Sequence, residues 1–135
     1  MNMPPYAVSI RVRYAETDRM GVVYHANYFV WFEVVRTEFF RSLGLAYRDI
    51  EEKRHLCLMV VEAVCRHKKP VTYDDTVRVE TSVVDIRNTS ITFTYRVIAN
   101  GTVSAEGETV HVFTDRKGKP VRIPADIRAA LSPSR

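Results

Sequence analysis

Cysteine is scarce in this sequence. Cys57 and Cys65 are the only two among 135 residues. Two thiols cannot build a disulfide scaffold, and their spacing matches no zinc motif. They read as reduced core or near-core thiols of a cytoplasmic protein. No apolar run reaches the roughly 18 residues that a bilayer-spanning helix needs, so no integral membrane contact is expected. The N-terminal Met1-Asn2-Met3-Pro4-Pro5-Tyr6 has neither a basic start nor an apolar core, and no secretory signal is expected from it. Helix-turn-helix, zinc-finger and RNA-binding aromatic signatures are missing, which leaves no case for a nucleic-acid partner beyond charge. Internal repeats, linkers and low-complexity segments are missing too.

What is there fits one globular domain spanning residues 1–135. The hydrophobic fraction of 46% and charged fraction of 27% are ordinary for such a domain. The net charge of +4 invites anionic partners. The basic residues are dispersed. Their densest runs, Arg66-His67-Lys68-Lys69 and Arg116-Lys117-Gly118-Lys119, fall at a strand end or turn and read as solvated faces.

Residues 7–14 alternate, with Val8, Ile10, Val12 and Tyr14 on one side, as in a half-buried strand. A polar loop follows, with Gly21 allowing a tight or left-handed turn. Asn27 suits a helix N-cap, and about 17 residues crowded with Phe, Val, Trp and Leu lead to Gly44 at a C′ position. Apolar residues cover most of that helix, so it should be buried on most sides. Residues 46–53 suggest a short, more polar helix or a turn. From Leu58 the period switches to two. Strands are expected at 58–66, 77–83, 91–97 and 103–113, with turns at Tyr73-Asp74-Asp75, Asn88-Thr89 and Asn100-Gly101. Asn-Gly predicts a type I′ hairpin. After a turn at Lys117-Gly118, residues 120–123 read as a short edge strand and 124–131 as a helix with Pro124 near its first position. The fold class is α+β: a curved antiparallel sheet of about five strands wrapped around one long buried helix. One sheet over one helix leaves edges exposed, and pairing of two copies by an edge is the physical expectation.

The loop at 14–28 concentrates the chemistry. Asp18 supports two readings: a turn cap through side-chain-to-backbone bonds, or a carboxylate poised as general base or nucleophile. His25 is a structural histidine or a group that polarises a carbonyl beside the backbone N–H groups of the helix start. Metal binding is not expected, because His55, His67 and His111 show no ligand spacing with His25. There is no Gly-x-Ser-x-Gly elbow and no cysteine near the loop, so a hydrolase built here must use the carboxylate.

Tyr14, Thr17, Asp18, Gly21, Tyr24, His25, Asn27, Tyr28, Trp31, Phe32, Glu33, Arg36 and Glu38, in this order and spacing, resemble a family signature. It is that of the hot-dog-fold acyl-CoA thioesterases of the 4-hydroxybenzoyl-CoA thioesterase family, and most closely its Tol–Pal-associated branch. Pro70 with Tyr73-Asp74-Asp75, Arg87-x-Thr89-Ser90-Ile91-x-Phe93 and Ile123-Pro124-x-x-Ile127 extend the resemblance over nearly the whole chain. It implies hydrolysis of acyl-CoA thioesters with no cofactor, CoA being part of the substrate. It makes Asp18 the essential carboxylate and puts the His25 backbone N–H at the thioester carbonyl. Tyr14 takes an orienting role beside Asp18. Tyr24, Asn27, Tyr28 and Val60 shape the substrate site. Arg87, Thr89 and Ser90 meet the pantetheine and phosphate end of CoA, with fewer basic residues than the hydroxybenzoyl-specific relatives carry. The family forms homodimers that pair into homotetramers with sites at subunit interfaces, and its branch leaves room for peripheral envelope-associated partners. A dehydratase-type hot-dog enzyme and a non-catalytic acyl- or partner-binding module are the alternatives.

Overall fold

The computed structural model describes residues 4–132 of the chain. Strands and helices follow one another as β1 (Tyr6–Arg11), α1 (Asn27–Ser42), α2 (Tyr47–Arg54), β2 (Cys57–His67), β3 (Thr76–Ile86), β4 (Ser90–Ala99), β5 (Thr102–Thr114) and α3 (Ala125–Leu131). The strands form one antiparallel sheet in the order β1-β3-β4-β5-β2. Strands β3, β4 and β5 run as a meander. Asn100 and Gly101 close the β4–β5 hairpin with φ of 53° and 72°, both left-handed as a type I′ turn requires. β1 and β2 are the two edges, so α1 and α2 carry the chain across the full width of the sheet. Breaks in register between Val60 and Glu62, Val83 and Asp85, and Val97 and Ile98 are bulges, which bend and twist strands.

Alternation fixes the face that α1 covers. Thr81, Tyr95 and Gly107 lie in one cross-strand row, and Val79, Val97 and Ala105 in the next. All of these pack inward except Gly107, which has no side chain. Tyr28, Trp31, Phe32, Val35, Arg36 and Phe40 supply the facing stripe of α1 at helical spacing. Phe32 stacks on Tyr95 with ring centroids 4.2 Å apart and planes 8° off parallel. Burying each such aromatic contributes roughly 2–3 kcal/mol.

Several sequence-based expectations are corrected here. β1 stops at Arg11 rather than Tyr14. The Val12 N–H still follows the β1–β3 register, donating to the Asp75 carbonyl at 2.8 Å, and the chain leaves the strand where Tyr14–Glu16 wind into a 3-10 turn. Asn27 is the first helical residue and not the N-cap; its side chain donates to the Glu16 carbonyl at 2.9 Å instead. α1 is buried on one side only. Phe29, Val30 and Val34 are exposed, because a single sheet covers a single helix face. Residues 120–123 form no strand. Pro120 has no N–H to give, and the segment holds to β5 by one bridge and the Val121 N–H to the Phe113 carbonyl. Pro124 caps α3 from outside rather than starting it. Among the described residues no helix is long and apolar enough to cross a membrane.

Candidate active site

The polar loop is held by a residue that the sequence did not single out. Glu16 is 5% exposed. Its Oε1 accepts the Arg13 backbone N–H at 2.8 Å, and its Oε2 accepts the Trp31 indole N–H at 3.1 Å. Its carbonyl accepts the Tyr24 N–H at 2.8 Å and the Asn27 side-chain amide. Glu16 thereby ties the loop's start, its end and the first turns of α1 together. Burial pushes its carboxyl up. The donors Arg13 N–H and Trp31, with the Arg13 guanidinium, outweigh that and hold it below the usual range.

Asp18 sits on the turn this frame presents. Its Oδ1 accepts the Met20 N–H at 2.8 Å and the Val22 N–H at 3.4 Å, and its carbonyl accepts the Gly21 N–H at 3.0 Å. Gly21 makes the turn possible with φ of 82°. The turn-cap reading is therefore observed, and it uses one carboxylate oxygen. The carboxylate also lines an open cleft of about 370 Å³ with Val22, His25, Tyr28, His67, Lys68 and Lys69. His25 lies one residue before the Ala26 cap of α1 and packs against Tyr24 at 4.5 Å. The backbone N–H groups of Tyr24, Asn27, Tyr28 and Phe29 all have carbonyl acceptors, whereas those of His25 and Ala26 have none among the described residues. Tyr28 is buried against Trp31 and His67. Burial, then the neighbouring Cys65, push its phenol up to about 12, so it stays a neutral donor.

Asp18, His25 and Tyr28 thus share one cleft, flanked by Tyr24 and Asn27. The other candidates lie elsewhere in the single chain. Tyr14 is 77% exposed and meets Tyr73 edge-on at 5.8 Å, outside the cleft lining. Arg87 and Thr89 lie in the β3–β4 turn, and Ser90 opens β4. There Arg87 pairs with Asp85 at 2.9 Å, and its carbonyl accepts the Arg128 guanidinium. Ser90 is level with Val112 and Met59, whereas the cleft is level with His67. Those two levels are about 26 Å apart along β2 at 3.3 Å per residue. Val60 belongs to a second cavity, of about 210 Å³, between α1, α2 and β2.

Lys68 and Lys69 are exposed, as a solvated face requires, and both also line the Asp18 cleft. Pro70 follows them, and the Val23 N–H to Val71 carbonyl bond at 2.8 Å draws this stretch onto the loop. Lys68 is engaged by Glu106 at 3.3 Å. A buried polar chain runs beside the second cavity. Arg36 donates to the Tyr47 and Tyr95 hydroxyls at 2.9 Å each, Tyr95 meets Thr109 at 2.6 Å, and Thr109 meets His111 at 2.8 Å. Among the described residues no group of three or more His, Cys, Asp or Glu side chains is placed to hold a metal ion.

A five-stranded antiparallel sheet over one long helix, with a carboxylate cleft at the helix start, is the hot-dog architecture. The profile of the Thioesterase-like superfamily matches residues 12–131, and the chain belongs to that family. It is 40% identical over 115 residues to the putative acyl-CoA thioesterase YneP of Bacillus subtilis, covering 84% of this chain and 83% of the relative. It is 34% identical over 128 residues to the acyl-CoA thioesterase YbgC of Haemophilus influenzae, covering 93% of each. A crystal structure of a hypothetical protein from Aquifex aeolicus superposes with a TM-score of 0.91 at 34% identity, over 95% of this chain and all of the other.

Proposed function

We propose that this protein hydrolyses acyl-CoA thioesters to the free acid and CoA, with Asp18 as the working carboxylate. The observation that carries this is the cleft that Asp18 shares with His25 beside two helix-start N–H groups that have no acceptor among the described residues. The relatives named as acyl-CoA thioesterases support it.

Oδ1 of Asp18 is engaged by the turn, which leaves Oδ2 for the reaction. In the reading we favour, that oxygen takes a proton from a water in the cleft as the water attacks the thioester carbonyl carbon. Direct attack by the carboxylate, giving a mixed anhydride that water opens, is the second route. In either case the C–S bond breaks and CoA leaves as its thiol. The N–H groups at His25 and Ala26, with the positive end of the α1 dipole, stabilise the oxyanion. Lys69 and Lys68 add positive charge for a polyanionic substrate.

The active unit we propose is a dimer paired through β2, two of which form a tetramer, acting in the cytoplasm. Exposed Met59, Val60 and Val61 on that edge and Phe29, Val30 and Val34 on α1 support it. Antiparallel pairing about the centre of β2 puts Cys57 opposite the partner's His67. It brings the Arg87 turn of one copy to the same end as the cleft of the other, where Arg87, Thr89 and Ser90 meet CoA. Tyr14 is assigned no step.

Thiol release followed with a chromogenic reagent tests the reading. Asp18→Asn is expected to lose at least about 10²-fold in kcat, the range of general-base removal, with an unchanged melting temperature. Full turnover in that variant overturns the assignment.

A further inference from the structure

The second cavity has an unusual floor. Arg36 is 8% exposed and lies on its wall with Phe40, Tyr47, Leu58, Val60 and Phe113. Two neutral phenols accept from its guanidinium, and it forms no ion pair among the described residues. A brace for two hydroxyls needs only neutral donors. A buried guanidinium adds a full charge whose desolvation costs several kcal/mol and is ordinarily offset by a carboxylate. The phenols use two of its five N–H donors, and the group faces a cavity lined mainly by apolar side chains. The two carboxylates of this cavity, Glu33 and Glu51, belong to exposed residues at its mouth.

We infer that Arg36 is a specificity-determining residue: its cavity receives the far end of the acyl group and favours an end carrying a hydroxyl over a plain alkyl end. A hydroxyl can accept from Arg36 and donate to Glu33 or Glu51. A carboxylate can only accept, and it would add a third negative charge beside the two at the mouth. The link to catalysis rests on the thioesterase reading and the β2-paired dimer, in which the mouth at Leu58 and Val60 opens beside the partner's cleft. The acyl carbonyl then sits at one copy's Asp18 and its tail in the other copy's cavity.

The test compares alkyl, ω-hydroxy and ω-carboxy acyl-CoA esters of matched length across a range of chain lengths. At the length that reaches Arg36, the hydroxyl-ended ester is expected to show about tenfold higher kcat/KM than the alkyl ester, the effect of one hydrogen bond to a charged group. The carboxyl-ended ester is expected to show no such gain. Arg36→Gln, its fold checked by circular dichroism, is expected to lose the hydroxyl preference while still hydrolysing the alkyl series. Equal kcat/KM for hydroxyl and alkyl ends at every length overturns the inference and leaves the thioesterase reading standing, as does a carboxyl end that outperforms the hydroxyl. If no ester releases thiol, the thioesterase reading fails instead. Calorimetry with non-hydrolysable S-alkyl and S-(ω-hydroxyalkyl) CoA thioethers then decides the cavity. Tighter binding of the hydroxyl form by the unaltered protein but not by Arg36→Gln supports it, and equal binding overturns it.

Discussion

Gly107 lies on β5 beneath the Phe32 ring of α1. A Cβ built there would stand 2.6 Å from the Phe32 ring and still nearer the Val64 carbonyl. One of those neighbours is backbone, so the site cannot relax cheaply. Gly107→Ala is expected to cost about 1–3 kcal/mol through overpacking, read as a lower denaturant midpoint at an unchanged m-value. An unchanged midpoint would show that Phe32 can move aside. Glu16 is the converse case, a buried carboxylate held by the Arg13 N–H, the Trp31 indole N–H and the Arg13 guanidinium. Its neighbour in the sequence, Asp18, keeps one oxygen out of the turn. Two acidic residues in one short loop thus do different work, one structural and one chemical.

At the scale of elements, β2 is the piece that a single chain leaves unfinished. Among the described residues it pairs with β5 alone, and Met59, Val60 and Val61 along it are exposed. Val61 falls in the bulge between Val60 and Glu62, without a partner on β5. An unpaired apolar edge is a template for another strand. Val61→Lys puts a charge on that edge. It is expected to shift the protein toward monomer in light scattering and to reduce thiol release in parallel. A variant that stays dimeric would place the interface elsewhere. α1 makes the same point from its other side: its inward stripe matches the sheet, and Phe29, Val30 and Val34 await a cover.

For the whole molecule, acid stability should track one buried histidine. His111 is fully buried between Phe93 and Thr109, and its Nδ1 has no hydrogen-bond partner among the described residues. Burial, then the Arg36 charge, push its pKa down from 6.5 to about 3. The unfolded chain therefore binds a proton near pH 6.5 that the folded chain refuses until about pH 3. Stability should fall as pH drops through that window and level off below it. His111→Gln is expected to flatten the slope of unfolding free energy against pH between those limits, measured by denaturant titration at several pH values. A slope equal to that of the unaltered protein would assign acid lability to other groups.

The sequence by itself determined what depends on neighbours along the chain. Period-two runs marked β2 to β5, Asn100-Gly101 set its hairpin, Gly21 and Gly44 took the left-handed turns expected of them, and the Asp18–His25 loop stood out by composition. Errors clustered where a distant partner overrode local preference. Asn27 gave its amide to Glu16 instead of capping α1, and Tyr14 left the strand pattern for the 3-10 turn that Glu16 ties to Arg13. Only the tertiary structure decided which side chains meet. It put Lys68 and Lys69 on the wall of the Asp18 cleft, set Tyr14 on Tyr73, and sent Arg87 to the far end of the sheet. It also buried Arg36 against two phenols, with no ion pair among the described residues. Spacing along a chain fixes which face a residue occupies, but the partner on that face is chosen by packing between segments far apart in sequence.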